Sequence, residues 1–305
     1  MSSTSTSRGR NNDLGEFLKA RRAEVTPEQA GLPAVGHPRR VKGLRREEVA
    51  QLASLSAEYY TRIEQGRLQG ASAPALAAIA RALHLDADQT SYLYQLANKA
   101  GSARPRKHTP QRVAPQTGRL LDNLTDTPAM VLGRYMSVLA WNPLAAALYT
   151  DFSALPPAER NLMRLTFLDP RVRALYADWE TSARQCVAFV RMEAAHAAQA
   201  RELQILVGEL SLRDEDFRRW WASHDVARKT IGTKRYHHPV VGDLTLDWQI
   251  LTCPHDPDQA VMLMTAPPGT SSHQGLRLLA SWAATPADPA TLPRKTEAES
   301  TGDPD

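Results

Sequence analysis

Cysteine occurs at two positions among 305, Cys186 and Cys253, with no CxxC spacing. That excludes a disulfide framework and suits a reducing compartment. No apolar run reaches the ~18 residues a membrane helix needs, and the opening "MSSTSTSRGRNND" is polar throughout. Neither a membrane span nor a secretory leader is therefore expected, and the protein is placed in the cytoplasm. Residues 116–284 contain no GxGxxG, GxSxG, HExxH or paired-Cys motif, so the usual frameworks for holding a dinucleotide, activating a serine or binding zinc are missing. No convergent set of titratable groups replaces them, so no enzyme, cofactor or metal is expected. "YHHP" and "CPHD" bring His237, His238, Cys253 and His255 to mind as ligands, but adjacent histidines on a strand point to opposite faces. No internal repeat is present.

What is present is a globular composition, 42% hydrophobic, in a chain long enough for one or two domains. Its charge is divided. Through Arg112 there are 18 Lys/Arg against 10 Asp/Glu, a net +8, while the remainder carries 19 against 23, a net −4. A basic excess confined to one third of a chain is the footprint of a nucleic-acid-binding module joined to something else. Composition divides the chain into a disordered Ser/Thr-rich tail (1–11), a helical domain (12–100), a Pro-rich basic linker (101–115), a mixed α+β domain (116–284) and a Pro/Asp/Glu tail (285–305) that is also expected to be disordered.

In the first domain a helix starts at Asp13, with Leu14, Phe17, Leu18, Arg21 and Arg22 at helical spacing. A basic Pro/Gly loop, Thr26 to Gly43, follows. The second helix is "LRREEVAQLA", and the third starts on Ser56 as N-cap and stops on Gly66, the residue type that takes a left-handed C′ conformation without penalty. Ser72 and Asp86 cap two more helices. A three-residue link between helices two and three makes a helix-turn-helix within a five-helix bundle. Val49 and Ala53 must pack on Tyr60 and Ile63, and small Ala50 and Ala53 allow close approach. Docked that way, the third helix leaves Ala57, Glu58, Thr61 and Arg62 outward, where a major-groove reader presents its side chains. Arg40, Lys42 and Arg67 are further candidates for the DNA surface, and Tyr59 suits either packing or a backbone contact.

"RREEVAQLASLSAEYYTRIEQGR" resembles the helix-turn-helix of Xre-type (lambdoid repressor/Cro-like) regulators, with the resemblance running from about residue 13 to 100. It implies that Arg46 and Ser56 touch phosphate, that Ala57, Glu58 and Arg62 face base edges, and that Glu64 pairs with Arg22 of helix one. The long loop Thr26 to Gly43 departs from the family, in which a short turn is usual.

In the second domain, "AMVLGRY" and "SVLAW" read as strands, followed by helices at Pro143–Tyr149 and Arg160–Leu168 and a helical region from Arg171 to His224 broken near Gln199 and Ser211. Three strands, "TKRYHHPVV", "DLTLDWQIL" and "AVMLMTA", and the helix "GLRLLASWA" complete it. An inner sheet face of Val138, Ala140, Leu246, Trp248 and Met262 requires a cover, and Phe167, Tyr176, Trp179, Phe189 and Trp220 of the helical insertion are available for it. The blocks around Trp141-Asn142-Pro143, "FLDPRVRALYADWE", "FRRWWASHDV" and "KRYHHPVVGDLTLDW" resemble the ligand-binding domain of MmyB-like transcription regulators. That resemblance implies a PAS-like fold, an antiparallel five-stranded sheet wrapped by helices, holding a fatty-acid-like ligand. The candidate ligand contacts are Arg134, Trp141, Asn142, Phe167, Trp179, Arg191, His237 and Trp248. The expectation is a homodimeric regulator that binds an inverted-repeat operator in double-stranded DNA and responds to a small apolar ligand. The rival reading is a constitutive DNA-binding dimer whose second domain only dimerises.

Overall fold

The computed structural model describes residues 5–33, 41–67, 71–98, 111–197, 200–228, 230–254 and 256–284. Arg40 and His255, the linker through residue 110 and the tail from 285 lie outside these residues. No helix among the described residues is long and apolar enough to cross a membrane.

Five helices form the N-terminal bundle: α1 Ser5–Glu24, α2 Arg46–Leu52, α3 Ala57–Glu64, α4 Ala73–Ala82 and α5 Ala87–Asn98. α1 begins well before Asp13, within the segment expected to be disordered. The polar "STSRGRNN" has no apolar periodicity to announce a helix, yet extending an existing helix adds one hydrogen bond per residue ordered. The core contains Phe17, Leu18, Leu44, Val49, Tyr60, Ile63, Leu76, Ile79 and Leu93, each at most 1% exposed.

The caps behave as the local chemistry requires. Ser56 Oγ accepts from Tyr59 N at 3.1 Å and Ser72 Oγ from Ala75 N, while Asp86 and Gln89 exchange a reciprocal capping box. α3 ends in a Schellman motif: Arg67 N donates to Arg62 O, Gly66 N donates to Ile63 O, and Gly66 has φ 65°. α2 ends in the same motif, but Ser54 takes the left-handed position, with φ 55°. That conformation costs an L-residue ~1 kcal/mol, and the Ser54 side chain is exposed. Ser54→Gly should therefore raise the urea midpoint by the equivalent of about 1 kcal/mol at unchanged m-value; an unchanged or lower midpoint would show that the turn is not strained.

The second domain opens on α6 Pro115–Asn123, continues through β1 Ala129–Leu132, β2 Val138–Trp141, α7 Pro143–Tyr149, α8 Leu162–Leu168, α9 Pro170–Leu175, α10 Trp179–Ala197, α11 Arg201–Arg213 and α12 Glu215–Ala222, and ends with β3 Ile231–His238, β4 Gly242–Cys253, β5 Asp256–Thr265 and α13 Ser271–Ala284. The sheet is antiparallel throughout, in the order β2-β1-β5-β4-β3. With a helical insertion between β2 and β3, this is the two-domain layout, helical and then α+β, that the sequence implies.

Four details differ from expectation. α6 falls where no helix was read, and it covers the back of the sheet through Leu121, which packs with Ala129, Val131, Cys253 and Val261. The end of the linker belongs to the second domain: Gln111 Nε2 donates to Asp258 O, Gln111 Oε1 accepts from Arg134 N, and Gln259 Nε2 donates to Arg112 O. The helical insertion breaks at Tyr176–Asp178 and again at Asp214, which caps α12 by accepting from Phe217 N at 2.7 Å; Ser211 stays inside α11. Gln199 lies outside the described residues. Finally, a register shift between β1 and β2 at Leu139 puts Ala140 on the α6 face, although Val138 and Trp141 face the main core. One extra residue in a strand reverses the alternation beyond it.

Candidate functional sites

α3 presents the face that docking predicts. Tyr60, Ile63 and Glu64 are buried; Ser56, Ala57, Glu58, Arg62 and Arg67 are exposed; Thr61 is half-buried at the edge of the same face. Ser56 Oγ is the acceptor of the cap, so its hydroxyl proton is not used in it. Lys42 is exposed, whereas Tyr59 is half-buried and packs against the bundle core.

The attitude of α3 is held by an ion triad. Glu64, with a side chain 2% exposed, accepts from Arg22 Nε at 2.9 Å and Arg22 Nη2 at 3.0 Å, and from Arg46 Nε at 2.7 Å. Arg22 also donates to Leu44 O at 2.8 Å, tying α1 to the start of the α2 segment. Burial alone would raise the Glu64 carboxyl, but the hydrogen bonds from Arg22 and Arg46 and the charge of Arg22 outweigh it and hold the group below its ordinary value. The Arg22–Glu64 pair implied by the family resemblance is present. Arg46, which the resemblance puts on phosphate, is not a free side chain: its Nε is committed to Glu64, and 40% of the side chain stays exposed. Nothing in the linear pattern separates an Arg that anchors from one that reaches out. The helices can approach this closely because Gly15 of α1 lies against the end of α3; a Cβ there would stand 2.1 Å from Glu64 O.

In the second domain the predicted ligand contacts divide. Phe167, Trp179 and Trp248 lie in or against one apolar core with Tyr176, Phe217 and Trp220. Trp141 packs on Phe152 at the sheet edge with Arg160 over its ring. The four polar candidates are engaged elsewhere. Asn142 is 1% exposed; its Oδ1 accepts from Ala129 N and Ala145 N, and its Nδ2 donates to Leu124 O and Thr127 O, so its capacity is spent on fixing the turn into α7. Arg134 pairs with Asp258 and Glu202. His237 faces away from the core and pairs with Asp243 at 2.6 Å, while His238, on the other face, binds Ala147 O through Nε2.

Arg191 sits at the junction of the two domains. Its Nη1 lies 3.1 Å from His224 Nδ1, its Nη2 donates to Trp221 O, its guanidinium stacks 4.0 Å from the Trp221 ring centre, and the Tyr92 hydroxyl of α5 is beside it. Burial pulls Arg191 below the ordinary arginine value, with Tyr92, Asp13 and Asp225 opposing. Around it, Arg21 of α1 donates to Ser223 O at 2.7 Å and pairs with Asp225 at 3.0 Å, and Arg228 N donates to Asp88 Oδ2. Met192, Ala195 and Val226 of the second domain complete the core of the first. Arg191 is a candidate ligand contact from sequence, but the packing of α5 against α10 commits it to the domain junction instead.

A family model for a helix-turn-helix domain matches residues 13–93, and one for the MmyB-like transcription regulator ligand binding domain matches residues 113–279. No curated protein matches the chain. The geometry agrees with both matches: a capped, outward-facing helix on a basic bundle, and an antiparallel sheet with a helical insertion docked beside it. With that ligand-binding-domain model covering more than half of its length, directly after a helix-turn-helix domain, the chain belongs to the MmyB-like transcription regulators.

Proposed function

We propose that the protein is a cytoplasmic, homodimeric Xre-type regulator that binds an inverted-repeat operator and changes its operator affinity when its C-terminal domain takes up a small, fatty-acid-like molecule. The observation that carries this reading is α10. Ala183, Val187 and Val190 of this helix belong to the aromatic core of the second domain, and Met192 and Ala195 belong to the core of the DNA-binding bundle. A shift of α10 on ligand binding therefore moves side chains in both cores, which gives the two sites a physical connection.

Two-fold symmetry would place the two α3 helices roughly 34 Å apart, or a multiple of that, on the DNA. Arg62 can donate two hydrogen bonds to guanine, and it is exposed. Arg62→Ala should cost about 1–3 kcal/mol of operator affinity and relax preference at one base pair. A uniform loss across all sequences would put Arg62 on a phosphate instead.

The test of the whole reading titrates delipidated full-length protein with saturated acyl acids of increasing chain length while operator affinity is followed by gel shift. Saturable binding with a changed operator affinity supports it. Bound acid that leaves operator affinity untouched favours the constitutive dimer whose second domain only dimerises.

A further inference from the structure

Among the described residues, half-buried and buried arginines have anionic or carbonyl partners: Arg21, Arg22, Arg134, Arg164 and Arg191 each have at least one. Lys234 does not. Among the described residues no carboxylate pairs with it, although burial along β3 alternates so that Gly232, Lys234, Tyr236 and His238 face the core while Thr233, Arg235 and His237 face solvent. Its Nζ lies 5.4 Å from the Tyr176 ring centre and 5.7 Å from that of Trp248. Its charge is felt by Cys186 of α10, a fully buried thiol that burial pushes up and Lys234 pulls down. The ammonium thus lies beside two aromatic rings on the sheet face that the helical insertion covers.

A second orphan lies close by. Thr166 is 1% exposed, and its Oγ1 stands beside the Tyr176 hydroxyl and the Cys186 thiol without reaching hydrogen-bond geometry with either. A buried hydroxyl without a partner costs free energy that a ligand oxygen would recover.

We infer that Lys234 is the cation that receives the carboxylate of an apolar acid in the C-terminal domain, with Thr166 as the neighbouring donor and Tyr176 and Trp248 as the walls. The inference rests on the sensor reading above and replaces Arg134, Asn142, Arg191 and His237, whose partners are already in place. An inward charge on an edge strand also discourages strand pairing with another molecule, and β3 is an edge strand. That role requires only a charge, however, and gives no reason for an orphan hydroxyl and two aromatic faces beside it.

The experiment compares delipidated full-length protein with Lys234→Met and Lys234→Arg. Dodecanoic, tetradecanoic and hexadecanoic acids and their primary alcohols are titrated against each, and thermal unfolding is recorded as the control for folding. A hydrogen-bonded charge pair is worth about 1.5–3 kcal/mol, so Lys234→Met should weaken the acids about ten- to a hundred-fold and leave the alcohols nearly unchanged, while Lys234→Arg keeps the preference for acid. If the wild type prefers acids and Lys234→Met keeps that preference, or if the wild type does not distinguish acid from alcohol, the head-group assignment is overturned and the sensor reading stands. If the wild type binds neither series, both fall together.

Discussion

Glu64→Ala is expected to destabilise the N-terminal bundle by about 3 kcal/mol, the lower end of the range for breaking a buried ion pair by removing one partner. The carboxylate is almost fully buried and serves two arginines. With it gone, Arg46 can return to water from a side chain already 40% exposed, but Arg22, at 14%, stays as an uncompensated cation between α1 and α3. Glu64→Gln keeps one acceptor and should lose less. An Arg22→Met, Glu64→Leu double variant should lose less than Glu64→Ala, because it removes both charges instead of stranding one. Because the carboxyl is held below its ordinary value, its contribution is complete above the ordinary carboxylate pKa and is lost as pH falls through the lower folded value. Urea unfolding of the four proteins, read together with amide exchange in α3, measures this. A Glu64→Ala variant within ~0.5 kcal/mol of the parent, the range of an ordinary surface change, would show that the triad does not hold the reading helix.

The second large effect is expected at the domain junction under acid. His224 is held neutral down to about pH 4, chiefly by burial and then by the charges of Arg191 and Arg21, with Asp225 opposing. Its Nδ1 can accept from Arg191 only while unprotonated. In the unfolded chain the imidazole takes up a proton near its ordinary 6.5. Between these values the unfolded state binds more protons, so stability from this group is complete above about pH 6.5 and is lost as pH falls toward 4. At full effect the difference corresponds to about 3.4 kcal/mol, and solvent screening at this half-buried ring reduces it to on the order of 2 kcal/mol. His224 has φ 57°, a conformation that Asn tolerates, so His224→Asn should remove this part of the acid slope without straining the backbone. Thermal unfolding of both proteins across that pH range, with tryptophan fluorescence reporting on Trp221, tests the prediction. Parallel slopes in the two would mean that His224 titrates normally and that the junction does not depend on its neutral form.

Much of the reading helix was legible from adjacent residues. Ser56, the apolar spacing of Tyr60 and Ile63, and Gly66 act within one or two turns of chain, so their consequences for cap, face and stop follow from local geometry alone. The strands of the second domain were legible for the same reason, because alternation with period two is a local property. α6 was not, since its apolar pair Leu120 and Leu121 follows a Pro-rich basic stretch and has no long periodic run; it is a helix that depends on the back of the sheet it covers.

Polar side chains show where local reasoning stops. Sequence alone established that this chain carries a capped helix-turn-helix with a free outward face on a basic domain, followed by an α+β domain rich in aromatics. It could not tell which of its charged residues were committed. Asn142 reads as a plausible ligand contact until four backbone groups converge on it, Arg191 until α5 packs over it, and Lys234 as an ordinary edge-strand lysine until Tyr176 arrives from the break after α9. Alternation and helical period specify the face on which a side chain leaves the backbone, but its partner comes from a segment tens to hundreds of residues away. That distance is 42 residues for Arg22 and Glu64 and 204 for Arg21 and Asp225. A charge in water and the same charge against a carboxylate in the core have identical local patterns, so their difference in free energy exists only once the chain has folded around them.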